Sequence, residues 1–409
     1  MIVDYNNQLH KKIFSNEIVI WDETLRDGEQ SPGVNFSLEE KTEIAKLLDK
    51  IGVGIIDLGF PSTSKEEQKT IRYITRLGLK AKIGVTVRAN IEDIKCAIDC
   101  GVNTIFLFAP TSKLHIYYKF GMNYEGINNM IFKAIEYAKM HNLDVYFISE
   151  DTSRSDFQYI IKLFNQLYDD YGIDKIVITD TIGIMLPFTI KKFVSKIINN
   201  CNSNIKFGIH CHNDFGLATA NTIAAIESGI VYPTVTVNGI GERAGNASFE
   251  ETVMILEKIY GYNTGIILKY MNALSSMVEL YSGMPVSPNK PIVGYNVFRH
   301  ESGIHVNAML KKYETYEPFP PETVGRKREL VFGKHTGRTL IKHTLKNIGI
   351  TDEAIIEKLY SIVKNTKFEE SKKNNIYHLI HDYYKSSLGL TEEQLLNLVD
   401  KNFLKVNKM

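Results

Sequence analysis

The sequence predicts an α/β chain: a (β/α)8 TIM barrel followed by C-terminal, mainly helical subdomains. Three observations predict it. Short β-rich runs alternate with longer helical patterns through about the first 260 residues, eight of each. Polar side chains collect just beyond the C-terminal ends of those runs, where barrel sites are assembled. The first run leads into a charged loop, Thr24-Leu25-Arg26-Asp27-Gly28-Glu29-Gln30, rather than the glycine-rich turn of a doubly wound open sheet.

The strand candidates are Ile18–Asp22, Ile55–Gly59, Lys82–Val87, Thr104–Ala109, Asp144–Ile148, Lys175–Asp180, Lys206–His210 and Thr234–Asn238. Ser37 opens the first helix with Glu40 three positions on, the spacing of a capping box. Further helical patterns cover Lys65–Leu77, Ile91–Cys100, Gly126–His141, Asp156–Tyr171, Pro187–Asn200, Leu217–Gly229 and Phe249–Tyr260. The rhythm stops near Thr264, and Met284–Pro291 reads as irregular chain. The expected boundaries are therefore a catalytic barrel over 1–265, a linking subdomain over 266–345 and a helical subdomain over 346–409.

Composition narrows the function. A formal net charge of +1 leaves no electrostatic footprint for nucleic acid or an anionic membrane. No stretch reaches the ~20 apolar residues needed to span a bilayer, and Met1–Asn16 has no apolar leader core. Four scattered cysteines make no disulfide framework, so a reducing cytoplasm and a small-molecule substrate are expected.

The chemistry concentrates at the strand ends. His210 and His212 are two apart on one strand, so both imidazoles face the same way while Cys211 faces opposite. An isolated pair of this kind is as well explained by two hydrogen-bonded histidines. With Asp27 at the same rim, a divalent cation is the better reading. Arg26 suits a substrate carboxylate or an enolate oxygen, against the alternative of a salt bridge with Asp22 or Glu29. Only one of Glu150 and Asp151 can face the rim, and Asp151 is expected to tie down a loop.

Five segments carry a family resemblance: Asp22–Gln30, His210–Asp214, Asn238–Asn246, Phe298–Val306 and Gly333–Gly337. In this order they resemble the isopropylmalate, homocitrate and citramalate synthases, over roughly Ile18 to Leu345. The resemblance implies a metal-dependent Claisen-type condensation of acetyl-CoA with a 2-oxo acid, completed by thioester hydrolysis. By motif, Asp27, His210, His212 and Asn246 would bind the cation, which would be magnesium, manganese or zinc. Arg26 would stabilise negative charge, Glu150 would be the catalytic glutamate, and His305 the general base with Tyr316 beside it. Gln30, Arg88, Ser149, Arg154 and Thr181 would contact the acceptor, although Arg154 could instead simply pair with Asp151. In such enzymes the histidine reaches the partner's barrel, which implies a homodimer with the His305 region inserted there.

Among acceptors, 2-oxoglutarate, giving homocitrate, is the first expectation, from Ala97–Val102, Pro110–Ser112 and His305-Val306. Isopropylmalate, citramalate, (Re)-citrate and phosphonomethylmalate synthesis are the alternatives. A hydroxymethylglutaryl-CoA-type lyase is disfavoured because Asn238–Ser248 has no cysteine.

Overall fold

The computed structural model describes residues 17–366 and 370–387. Its first part contains β1 (Trp21–Asp22), α1 (Leu38–Ile51), β2 (Ile55–Asp57), α2 (Lys65–Thr75), β3 (Lys82–Arg88) and α3 (Ile91–Asp99). These are followed by β4 (Thr104–Pro110), α4 (Lys113–Phe120), α5 (Tyr124–Met140), β5 (Asp144–Glu150), α6 (Phe157–Asp169), β6 (Lys175–Asp180) and α7 (Pro187–Asn200). The last repeats are β7 (Lys206–Cys211), α8 (Ala218–Ile226), β8 (Tyr232–Val235) and α9 (Phe249–Met254). The strands run parallel in sequence order, and β1 closes the cylinder on β8 through Trp21 opposite Thr234 and Asp22 opposite Val235. The (β/α)8 barrel is therefore present.

Local signals set the helix starts. Ser37 and Glu40 form the full capping box, and Gly52 ends α1 in the left-handed conformation. Asn90, Asn123 and Asp156 cap α3, α5 and α6 with their side chains. Helix α4 was not expected from the periodicity; Ser112 caps it. Strand β1 is shorter than predicted, although Val19 N still donates to Val231 O at 2.8 Å. Strand β8 ends before Asn238, which turns left-handed at φ 61°.

Inside the barrel Trp21, Phe106, Tyr146 and Tyr232 form one buried cluster with Ile55, Ile148 and Val177. The Trp21 and Phe106 rings lie 4.2 Å apart, and Phe106 meets Tyr146 edge-on at 5.6 Å. A Cβ at Gly84 would stand 2.6 Å from the Phe106 ring, so β3 needs glycine there to admit it. Truncating such a buried ring typically costs about 3–5 kcal/mol. This packed layer separates the C-terminal end of the barrel, where Glu23, Asp27, His210 and His212 gather, from a second cavity at the opposite end lined by Val19, Phe207 and Tyr232.

The chain divides into two compact units. The barrel unit runs on through Val297 and takes in Pro318–Lys327. Helix α10 (Met271–Ser282) belongs to it, because Asn238 Nδ2 donates to Ser275 O at 2.9 Å and Ile267 N to Ile51 O at 2.8 Å. The other unit holds Pro32–Val34, Phe298–Glu317 and the described residues from Arg328 onward. There β9 (Arg299–His300) pairs in parallel with β10 (Glu329–Leu330) beside α11 (Gly303–Lys311), α12 (Arg338–Lys346), α13 (Glu353–Asn365) and α14 (Glu370–Ser387). Val306, Met309 and Leu340 form one small core, and buried Glu317 accepts from His300 Nε2 at 2.9 Å and from Arg328.

Candidate metal centre and barrel cavity

A cavity of about 250 Å³ opens at the C-terminal ends of the strands, lined on one side by Glu23, Arg26, Asp27, His210 and His212. Asp27 is carried there by the turn after β1, whose Asp27 N donates to Glu23 O at 2.8 Å. His210 lies on β7 opposite Thr179, and the bridge between His212 and Asn246 brings the loop after β8 alongside. Two glycines make this approach possible. A Cβ at Gly241 would fall 2.1 Å from Asn246 Nδ2, and Gly245 is left-handed with Gly239 O where its Cβ would be.

The hydrogen bonds assign the histidine tautomers. His210 Nδ1 donates to Glu23 Oε2 at 2.6 Å, with Thr234 Oγ1 at 2.9 Å, which leaves Nε2 as a lone pair. His212 Nδ1 donates to Gly245 O at 3.3 Å, with the same result. The two Nε2 atoms face each other at 3.2 Å. Two nitrogen lone pairs at that separation repel unless a cation or a proton lies between them. Asp27 Oδ2 stands 3.7 Å and 3.9 Å from the same nitrogens. Asn246 donates from Nδ2 to Asp27 Oδ2 at 2.5 Å, and its buried Oδ1 has no partner. The two imidazole nitrogens and the Asp27 carboxylate, within 4.8 Å of one another, fit a divalent cation in type and spacing, and the orphaned Asn246 oxygen is of a type that suits a fourth ligand.

The electrostatics agree with a ligand set. Burial raises the Asp27 carboxyl, but the Arg26 guanidinium, with the two imidazoles beside it, outweighs it and holds it below its ordinary value. Burial, with His210 beside it, pushes His212 down to about 4, so its ring is neutral at pH 7. Glu23 is also held well below the usual range, because Arg26 and His210 overcome its burial. Arg26 pairs with Glu23 at 2.7 Å and approaches Asp27 and Asp57 at 3.6 and 3.5 Å, rather than Asp22 or Glu29. Glu29 instead meets the buried Lys41, whose ammonium also holds Glu67 and the Leu25 and Leu58 carbonyls.

Gln30, Glu150 and Thr181 line the same cavity. Burial raises Glu150, but hydrogen bonds from His115 and Lys119 prevail and keep it low; its Oε2 is buried without a partner. Asp151 turns away at φ 62°, accepting from Ser112 and pairing with Arg154 at 2.8 Å. Arg154 thus lies off the cavity wall, its second amine 3.2 Å from His115 Nε2. Ser149 is off the wall too, because strand alternation turns it outward to Thr111 and Thr152, both at 2.9 Å. Arg88 is drawn to Asp93 by two contacts of 2.8 Å. His305 and Tyr316 lie in the other unit, ring centroids 4.2 Å apart. The sequence did not single out Glu23, Ile148 or Lys119; alternation along β5 from Glu150 would have found Ile148.

Residues 17–278 match the HMGL-like family and residues 292–372 the homocitrate synthase post-HMGL domain-like family. The chain is 46% identical to (R)-citramalate synthase of Methanocaldococcus jannaschii, over 84% of this chain and 70% of that one. It is 43% identical to a homocitrate synthase of Methanopyrus kandleri, over 85% and 87%. Against 2-isopropylmalate synthase of M. jannaschii it is 45% identical, over 84% and 67%. The HMG-CoA lyase of Bacillus subtilis superposes with a TM-score of 0.61 at 20% identity, over 67% of this chain and 96% of that one, which speaks for the barrel alone. Barrel, ligand cluster and second domain together make this chain a member of the HMGL-like family, in the branch of the homocitrate, citramalate and 2-isopropylmalate synthases.

Proposed function

We propose that this protein condenses acetyl-CoA with a 2-oxo acid and hydrolyses the resulting thioester. The carrying observation is the pair of facing Nε2 lone pairs on His210 and His212, with the Asp27 carboxylate and the free Asn246 oxygen beside them. Asp27, His210, His212 and Asn246 would hold magnesium, manganese or zinc, and an ion bound there would supply Lewis acidity to the acceptor.

The chain's own groups do the rest. Arg26 is held in place by Glu23 and faces charge that develops on the acceptor oxygen. Gln30 and Thr181 orient the acceptor from the cavity wall. Glu150, with one oxygen held by Lys119 and the other free, receives or returns a proton at the acetyl end. His305, beside Tyr316, takes the methyl proton of acetyl-CoA from the partner subunit of a homodimer. The new bond joins that methyl carbon to the keto carbon, and water then takes the acyl group and frees the CoA thiol.

Relatives named for three acceptors match to a similar degree, so they do not choose among 2-oxoglutarate, pyruvate and 2-oxoisovalerate. A lyase reading has the fold neighbours on its side but no cysteine between Asn238 and Ser248. A cytoplasmic location is part of the proposal; no helix among the described residues is long and apolar enough to cross a membrane. The test is CoA thiol release from acetyl-CoA with a panel of 2-oxo acids, before and after chelation. Release that needs both the acceptor and the cation is expected. Undiminished turnover in the chelated protein, or cleavage of hydroxymethylglutaryl-CoA instead, would overturn the reading.

A further inference from the structure

We infer that the acceptor carries a small apolar side chain rather than a second carboxylate, and that Ile148 enforces this choice. The inference rests on the condensation reading above and narrows its acceptor class. Alternation along β5 turns Ile148 and Glu150 into the cavity and Ser149 out of it. Ile148 pairs in register with Phe108 on β4 and with Val177 on β6. The three make an apolar row across neighbouring strands, and Phe60 extends it edge-on to Phe108 at 6.0 Å. In a closed cylinder of eight strands β5 stands opposite β1, so the row faces Arg26 and Asp27 across the cavity. An acceptor held by its keto and carboxylate oxygens at the Asp27 side directs its side chain at this row.

Charge points the same way. The lining carries Glu23, Asp27, Glu150 and Glu242 against the permanent cations Arg26 and Lys119. Lys119, on the side of the apolar row, is paired with Glu150 at 2.7 Å, and Arg26, paired with Glu23 at 2.7 Å, stands across the cavity beside Asp27. A divalent ion offsets the excess of carboxylates. A second acceptor carboxylate would then lie against Ile148, Phe108 and Val177 with no unpaired cation on that side among the described lining residues, an arrangement that strongly disfavours a buried charge. Space is limited as well, since about 250 Å³ must admit the ion, the acceptor and the acetyl end.

The experiment compares kcat/KM of the metal-loaded full chain for pyruvate, 2-oxobutanoate, 2-oxoisovalerate, 2-oxoglutarate and oxaloacetate. The best monocarboxylate is expected to exceed both dicarboxylates by about 100-fold or more. Ile148→Ala should move the ratio of 2-oxoisovalerate to pyruvate upward by about tenfold, with metal affinity at the parent value. Ile148→Val, which keeps the row, should move it by less than about threefold. Turnover of 2-oxoglutarate at or above the best monocarboxylate overturns this inference and leaves the condensation reading standing. If no acceptor is turned over, the condensation reading fails. Equilibrium titration of pyruvate against 2-oxoglutarate then decides the inference separately: tighter pyruvate supports it, and equal or tighter 2-oxoglutarate, or no binding of either, overturns it.

Discussion

Glu23→Gln isolates the group that prepares His210. The Glu23 carboxylate is buried and spans two donors, Arg26 Nη2 at 2.7 Å and His210 Nδ1 at 2.6 Å. Glutamine keeps the volume but offers one acceptor and one donor. If its amide nitrogen faces His210, the ring must carry its proton on Nε2, where the cation needs a lone pair. If it faces Arg26, two donors confront each other in a buried site. A hydrogen bond to a charged partner contributes about 1.5–3 kcal/mol net. Loss of the group that orients a ligating histidine lowers metal affinity about 10–100-fold, or roughly 1.4–2.7 kcal/mol. The assay is a competition titration of the apo-protein with a chromophoric chelator, with melting curves to confirm that the variant is folded. A folded Glu23→Gln that binds the ion within about threefold of the parent would refute the argument, since the structure gives this carboxylate the first claim on the His210 tautomer.

Two further outcomes follow from particular contacts. Gly241→Ala places a methyl 2.1 Å from Asn246 Nδ2, so it should weaken metal binding by at least about tenfold while leaving the barrel intact, as read by the same titration and by circular dichroism. Asp22, pushed up by burial to about 8 despite two hydrogen bonds from Thr24, is protonated in the folded protein at pH 7 and ionised in the unfolded chain. Its contribution to stability is therefore full below pH 3.8 and is lost as pH rises through about 8. Asp22→Asn should flatten that decline in urea titrations between pH 4 and 8, and a slope unchanged from the parent would count against it.

The barrel was legible because parallel strands buried on both faces read as apolar runs, and the first six helices, α1 to α6, each start at a capping side chain. Helix α4 escaped because its apolar residues Leu114, Tyr117, Tyr118 and Phe120 are exposed, which removes the periodicity that marks a packed helix. The ligand cluster was legible because alternation places His210 and His212 on one face whatever the tertiary structure. Arg88 and Arg154 were placed by motif alone, and each had a carboxylate within five residues, Asp93 and Asp151, that holds it off the wall. Ser149 was singled out by the resemblance, whereas alternation along β5 puts its neighbours Ile148 and Glu150 on the cavity side. Glu23 was invisible for a different reason: its partner His210 is 187 residues away, and only closure of the cylinder brings them together.

That distance has a consequence for how the protein comes into being. Asp27 precedes the other proposed cation ligands by nearly the whole barrel, and Asn246 follows the strand that closes the cylinder against the first. During synthesis no partial product owns a complete grip on the ion, because the halves of the grip are born at opposite ends of the cylinder. On the proposed ligand set, a cation that needs all four side chains would be taken up only after the ring has closed.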